Sequence, residues 1–130
     1  MPELRELVCK ENNISTLDIT KCTKLIKLYC RENKISNLDI AKCPDLEELY
    51  CRANDIESLD PTKCTKLREL DCAENQISNL NVTQCPELKY LDTENNNLAA
   101  INVENCTKLV KLIVWKNNLK ALDVTKCHEL

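Results

Sequence analysis

The chain has 130 residues, with 18 Lys and Arg against 21 Asp and Glu, for a formal charge of −3. Interleaved, mildly acidic charge argues against duplex nucleic acid, whose phosphates need a concentrated basic face, and no apolar run approaches the roughly 18 residues of a membrane span. Glycine is absent, which excludes Gly-rich phosphate loops and makes Asn or Asp the expected residue wherever φ must be positive.

From Leu4 onward the chain repeats with a period of 21 residues, giving units 4–24, 25–45, 46–66, 67–87, 88–108 and 109–129, and Leu130 opens a truncated seventh. A constant period of this size means stacked supersecondary units, none able to bury its apolar side alone. The expected organisation is one domain over 1–130, with minimal or missing caps. Each unit opens with L-x-x-L-x-C, whose period-two alternation predicts a strand with one buried face. In the second unit Leu28 and Cys30 point inward while Lys27, Tyr29 and Arg31 point outward. Strands a fixed distance apart along a one-way coil must be parallel.

The ninth position is Asn in every unit: Asn12, Asn33, Asn54, Asn75, Asn96 and Asn117. An inward Asn survives in a core only when its amide is hydrogen-bonded, so a ladder tying the turn to the next coil is expected. The return half, I-x-x-L-D-I-x-K-C, is too short for an α-helix with connections. Asp18, Asp39, Asp60 and Asp123, with Asn81 and Asn102 in the same column, can accept from amides two or three residues on. This predicts extended or 3₁₀ returns. The ten cysteines fall in two columns, at the sixth position (Cys9, Cys30, Cys51, Cys72) and the nineteenth (Cys22, Cys43, Cys64, Cys85, Cys106, Cys127). Neighbours in a column would lie about 4.7–4.9 Å apart, wider than a disulfide's preferred Cβ spacing of about 3.8 Å. Reduced, buried thiols acting as small hydrophobes are the expectation, with no metal and no cofactor.

The pattern L-x-x-L-x-C-x-x-N-x-I/L, as in LRELVCKENNI and LVKLIVWKNNL, resembles the leucine-rich repeat family over residues 4 to 130. The 21-residue period with Cys at the sixth position is similar to the cysteine-ladder repeats of bacterial internalins. The resemblance implies an α/β-type solenoid, mainly β. Its coil would be right-handed, with a parallel sheet on the concave side and extended or 3₁₀ convex returns. It also implies a surface generally used to bind other proteins. Internalins carry a signal peptide, an N-terminal cap and further domains, and none is seen in this sequence. As given, with no visible signal peptide, the expected location is cytoplasmic, or the cell surface or exterior if the sequence belongs to a longer bacterial protein.

Function is sought where the repeat is broken. The outward strand positions are the third, fifth and seventh, and all four aromatic residues of the chain lie there: Tyr29, Tyr50, Tyr90 and Trp115. Such side chains offer large amphipathic contact area at small entropic cost. The expected partner-binding residues are Tyr29, Tyr50, Tyr90, Ile113 and Trp115 as anchors, with Arg31, Arg52, Asp71, Asp92 and Glu94 setting partner choice. These make an Arg/Tyr patch, then an acidic patch, then a mixed apolar–basic patch. Asp71 and Asp92 could share a proton, but an open sheet has no walls to exclude water, and His128 has no partner to act with. No catalytic residues are therefore expected. The reading is a non-catalytic module for another protein. The alternative is an engineered or truncated repeat scaffold without a native partner, self-associating through its uncapped ends.

Overall fold

A computed structural model describes residues 1–130. Six three-residue strands, β1 (Glu6–Val8), β2 (Lys27–Tyr29), β3 (Glu48–Tyr50), β4 (Glu69–Asp71), β5 (Tyr90–Asp92) and β6 (Lys111–Ile113), form one sheet in sequence order. All neighbours are parallel and paired in repeat register, so Leu28 lies beside Leu7 and Leu49. There is no helix. The strands are short because backbone pairing is shared with the rest of the coil. Beyond β1, for example, the Cys9 N–H donates to the Tyr29 carbonyl at 2.9 Å and the Glu11 N–H to the Arg31 carbonyl at 2.9 Å.

The alternation is realised as predicted. Leu28, Leu49, Leu70 and Leu91, central in their strands, are completely buried, and they belong to one continuous core running through the stack. In the first and last coils, which each have one neighbour, the equivalent Leu7 and Leu112 are half-buried. The returns are extended segments punctuated by two successive tight turns. In the first, the Cys22 N–H reaches the Ile19 carbonyl (2.9 Å) and the Leu25 N–H reaches the Cys22 carbonyl (3.1 Å). The Asx column shapes the approach to these turns. Asp18, Asp39, Asp60, Asn81, Asn102 and Asp123 each accept from the amide two residues on, at 2.9–3.0 Å.

The asparagine ladder satisfies its amides against the preceding coil rather than the following one. Asn54 donates through Nδ2 to the carbonyls of Cys30, Cys51 and Arg52, and its Oδ1 accepts the Ile35 N–H at 3.0 Å. Asn33, Asn75, Asn96 and Asn117 repeat that pattern. Asn12, with no preceding coil beneath it, bonds only carbonyls of its own turn. No buried side-chain polar atom lacks a partner.

The expectation that positive φ would be carried by Asn or Asp is corrected. The eighth position adopts φ of 53–58° in every coil, at Glu11, Glu32, Ala53, Glu74, Asn95 and Lys116. Only one of these is Asn. A side chain with a Cβ costs about 1–2 kcal/mol there. The conformation persists because it is clamped: in the first five coils the eighth N–H joins the ladder, and in all six the Asn that follows holds the sixth and seventh carbonyls.

The ten cysteines are free, nine of them buried. From Cys43 onward, those of the nineteenth column point their thiols at carbonyls of the coil before. Cys64 Sγ, for instance, is 3.5 Å from both the Ile40 and Cys43 oxygens. Burial pushes the Cys30, Cys64 and Cys106 thiols up to about 12, and Cys43 and Cys85 to about 11. They are protonated hydrophobes with weak donors, not nucleophiles.

Candidate interaction surface

The outer sheet face consists of three columns: Glu6, Lys27, Glu48, Glu69, Tyr90 and Lys111; then Val8, Tyr29, Tyr50, Asp71, Asp92 and Ile113; then Lys10, Arg31, Arg52, Ala73, Glu94 and Trp115. Register alone assembles it, since residues 21 apart are lateral neighbours. Three zones result, and their chemistry differs.

In the first zone the Tyr29 and Tyr50 rings stack, with centroids 5.2 Å apart and planes at 29°. Each phenol donates diagonally to the carboxylate of the next coil, Tyr29 to Glu48 and Tyr50 to Glu69. Lys27 closes on Glu48 at 3.1 Å. Burial, reinforced by these carboxylates, moves both phenols well above their ordinary value. The Tyr29 hydrogen bond in turn holds Glu48 below its own. The rings are thus fixed from one side. Beside them an open cleft of about 390 Å³ is lined by Glu6, Val8, Lys10, Tyr29, Arg31 and Tyr50.

The middle zone departs from the separate basic and acidic patches expected from sequence. Arg52 lies across the acidic residues and joins four carboxylates: Glu74 at 2.6 Å, Glu94 at 3.1 Å, Asp92 at 3.3 Å and Asp71 at 3.9 Å. Asp71 and Asp92 are only 8% and 3% exposed. They do not sit bare on an open sheet; the guanidinium is their wall. Both also accept from backbone: Asp71 takes the Ala73 N–H at 3.2 Å on the oxygen that faces Arg52, and Asp92 takes the Glu94 N–H at 2.9 Å on its other oxygen. Burial raises the Asp71 carboxyl above its usual value, opposed by the Ala73 amide, while the Asp92 charge adds to the rise and Arg52 subtracts. Tyr90 donates to Asp92 at 3.3 Å, and burial with these two charges lifts its phenol to about 12.

The third zone is apolar and cationic. Trp115 is 59% exposed, with Lys116 Nζ 4.9 Å from its ring centroid. Val110 is equally bare, while Ile113, expected to be exposed beside Trp115, is half-buried. Lys111 stands 5.9 Å over the Tyr90 ring.

All ten sequence-predicted residues therefore lie on this face, but they divide. Arg52, Asp71, Asp92 and Glu94 are engaged with one another. Tyr29, Tyr50 and Arg31 form one accessible zone, and Trp115 with Ile113 another. Sequence reasoning missed Glu48 and Lys27, which hold Tyr29. The signal was a Glu 19 residues after each Tyr of the fifth column, the offset of a diagonal neighbour. It also missed the twenty-first column, which alternates Glu3, Lys24, Asp45, Lys66, Glu87, Lys108 and pairs them two by two at 2.6–2.9 Å.

A family model for leucine-rich repeats (2 copies) matches residues 23–61 and again 44–84. A comparison with curated proteins returns no match. Among solved structures, a leucine-rich repeat protein of Leptospira interrogans is 24% identical, with a TM-score of 0.90 over 98% of this chain and 36% of its own. InlJ of Listeria monocytogenes, whose functional domain includes a cysteine ladder, is 28% identical, with a TM-score of 0.51 over 98% of this chain and 38% of its own. The plant peptide hormone receptor RGFR1, in complex with RGF2, is 25% identical, with a TM-score of 0.84 over 98% of this chain and 23% of its own. The chain thus spans between about a quarter and two fifths of the length of these structures. Its period, its asparagine and cysteine ladders and its parallel stack agree with these likenesses, which together support a leucine-rich repeat family with internalin-like repeats.

Proposed function

We propose that the chain is a non-catalytic module that binds a protein partner on the outer face of its sheet. Leucine-rich repeats typically serve protein–protein interaction and are generally not enzymes. One observation supports the reading above the rest. Large apolar side chains, Trp115 at 59% exposed, Val110 at 59% and Val8 at 55%, stand on a face whose central carboxylates are already tied to Arg52. A bare Trp at one end of a face and stacked Tyr at the other is the composition of interface anchors. Contact would be made through Tyr29, Tyr50 and Arg31 at one end and Ile113 and Trp115 at the other, with Arg52, Asp71, Asp92 and Glu94 forming a rigid, internally bonded floor between them.

The test compares wild type, Trp115→Ala and the convex-face control Lys42→Glu in capture from lysate. Calorimetry on the purified captured protein follows. The reading expects the control to bind as wild type does and Trp115→Ala to lose at least about tenfold in affinity, the loss typical of an anchor. Capture equally insensitive to both substitutions would reject it. Light scattering that then showed self-association would put a scaffold assembling through its ends in its place.

A further inference from the structure

The fifth column holds a stack that stops one ring short. Tyr50 and Tyr29 stack at 5.2 Å, and their phenols are tied down by Glu69 and Glu48, so neither ring is free to turn away. One face of Tyr29 is used by Tyr50. On the other side the next place in the column belongs to Val8, a smaller side chain that is 55% exposed and lines the cleft with Tyr29. At about 390 Å³, the cleft falls in the range of sites that accept small ligands or single anchor side chains.

Charge specifies what else the occupant carries. Arg31 and Arg52 are neighbours in the seventh column, yet they are in opposite states. Arg52 makes three hydrogen bonds to carboxylates, whereas Arg31 makes none. Glu11 and Glu32 are 3.9 and 4.0 Å from its guanidinium, outside hydrogen-bond reach. Lys10, beside it, pairs with no carboxylate within 4 Å. Two cations with uncommitted donors thus border the cleft along the seventh column, while Glu6 borders it along the third. A carboxylate entering the cleft is drawn to the Arg31 side and repelled from the other, which fixes its orientation.

We propose that this cleft receives an aromatic side chain of the partner together with an adjacent carboxylate. The ring stacks on Tyr29 above Val8, and the carboxylate is taken by Arg31 and Lys10. Offset stacking at about 4.5–7 Å would extend the existing pair by one ring, and the guanidinium fork matches a carboxylate in two hydrogen bonds. The assignment rests on the sheet face being the binding surface and names the chemistry that one end of it reads.

The experiment is an NMR titration of the isotope-labelled full chain with three peptides: acetyl-Trp-Glu-Glu-amide, acetyl-Trp-Lys-Lys-amide and acetyl-Ala-Glu-Glu-amide. The first should shift the Val8 methyls upfield by ring current, saturably, and perturb Tyr29 and Arg31. The other two should not saturate. Arg31→Ala should weaken the first peptide about tenfold or more, the loss of a charge-assisted bond. Val8→Trp, which fills the vacant place in the stack, should abolish binding without lowering the unfolding temperature. Equal response to the lysine peptide, shifts centred on Trp115, or no response at all would overturn the assignment. If these peptides fail while a captured protein still releases with Trp115→Ala, only this assignment falls and the sheet-face reading stands.

Discussion

Arg52→Met is the most revealing single substitution, because it removes a charge and keeps most of the stem. The guanidinium serves Asp92, Glu94, Glu74 and Asp71 at 2.6–3.9 Å. Its own side chain is 29% exposed, while those of Asp71 and Asp92 are 12% and 4% exposed. Breaking a buried pair by removing one partner costs about 3–5 kcal/mol, and the partial exposure of Arg52 brings this to about 2–3 kcal/mol. For a domain of this size each kcal/mol moves Tm by roughly 3–4 °C, so a fall of about 6–12 °C at pH 7 is expected by circular dichroism. The pH dependence separates charge from packing. Burial already holds Asp71 above its ordinary value of 3.8. A carboxyl whose folded pKa is raised costs stability only when ionised. The cost is absent below the unfolded value and grows as pH rises toward the folded one. Removing Arg52 raises that folded value further, so the gap between variant and wild type should be wide at pH 7 and shrink below about pH 4. Asp71→Asn with Asp92→Asn in the Arg52→Met background should restore most of the loss at pH 7. A deficit equal at both pH values, and unrelieved by the amides, would show that Arg52 acts by packing and refute the electrostatic floor.

Other outcomes follow from the ladders. Asn54→Ala should cost about 2–3 kcal/mol in urea unfolding, since it leaves the buried Ile35 N–H without a partner and takes one of two donors from each of the Cys30, Cys51 and Arg52 carbonyls, which keep Asn33, Asn75 and the Glu32 N–H. Asn12→Ala, which loses only exposed bonds within its own turn, should cost about 1 kcal/mol or less. Ala53→Gly should raise stability by about 0.5 kcal/mol, because relief at φ 57° exceeds the entropy glycine adds to the unfolded chain; a drop in Tm would contradict the strain assigned there. In native protein at pH 8, maleimide labelling read by mass spectrometry should modify Cys9, the half-buried thiol, ahead of the nine buried ones, which label together only on unfolding.

What the sequence made legible was everything that depends on period. Leu28 and Cys30 inward, Tyr29 and Arg31 outward, the Asn column satisfied and the Asx column capping the turns all follow from residue type and spacing. What it hid depends on backbone detail or on the reach of long side chains. Nothing in Glu11, Ala53 or Lys116 marks a left-handed residue, because the neighbouring Asn clamps the conformation from outside. The engagement of Arg52 was hidden for the opposite reason. Column reading treats each outward side chain as standing on its own coil, and a guanidinium spans two neighbours. That reach turned an expected acidic recognition patch into a floor whose four carboxylates share one guanidinium.

The division of the face has a consequence for recognition. Its central carboxylates share the Arg52 guanidinium, so a partner that met only β4 and β5 would have to compete with that network to gain anything polar. The free groups lie at β1–β3 and at β6. Strands about 4.8 Å apart place the coils of Tyr29 and Trp115 roughly 19 Å apart across the sheet. An extended segment rises about 3.3 Å per residue, so about six residues laid across the strands bridge the two zones. A partner segment that puts an aromatic–acidic pair at one end and an apolar residue about six positions away would satisfy both without touching the floor. Shortening that spacing by three residues should disconnect the zones and return the affinity to that of the better single contact, whereas binding indifferent to spacing would mean that only one zone is used.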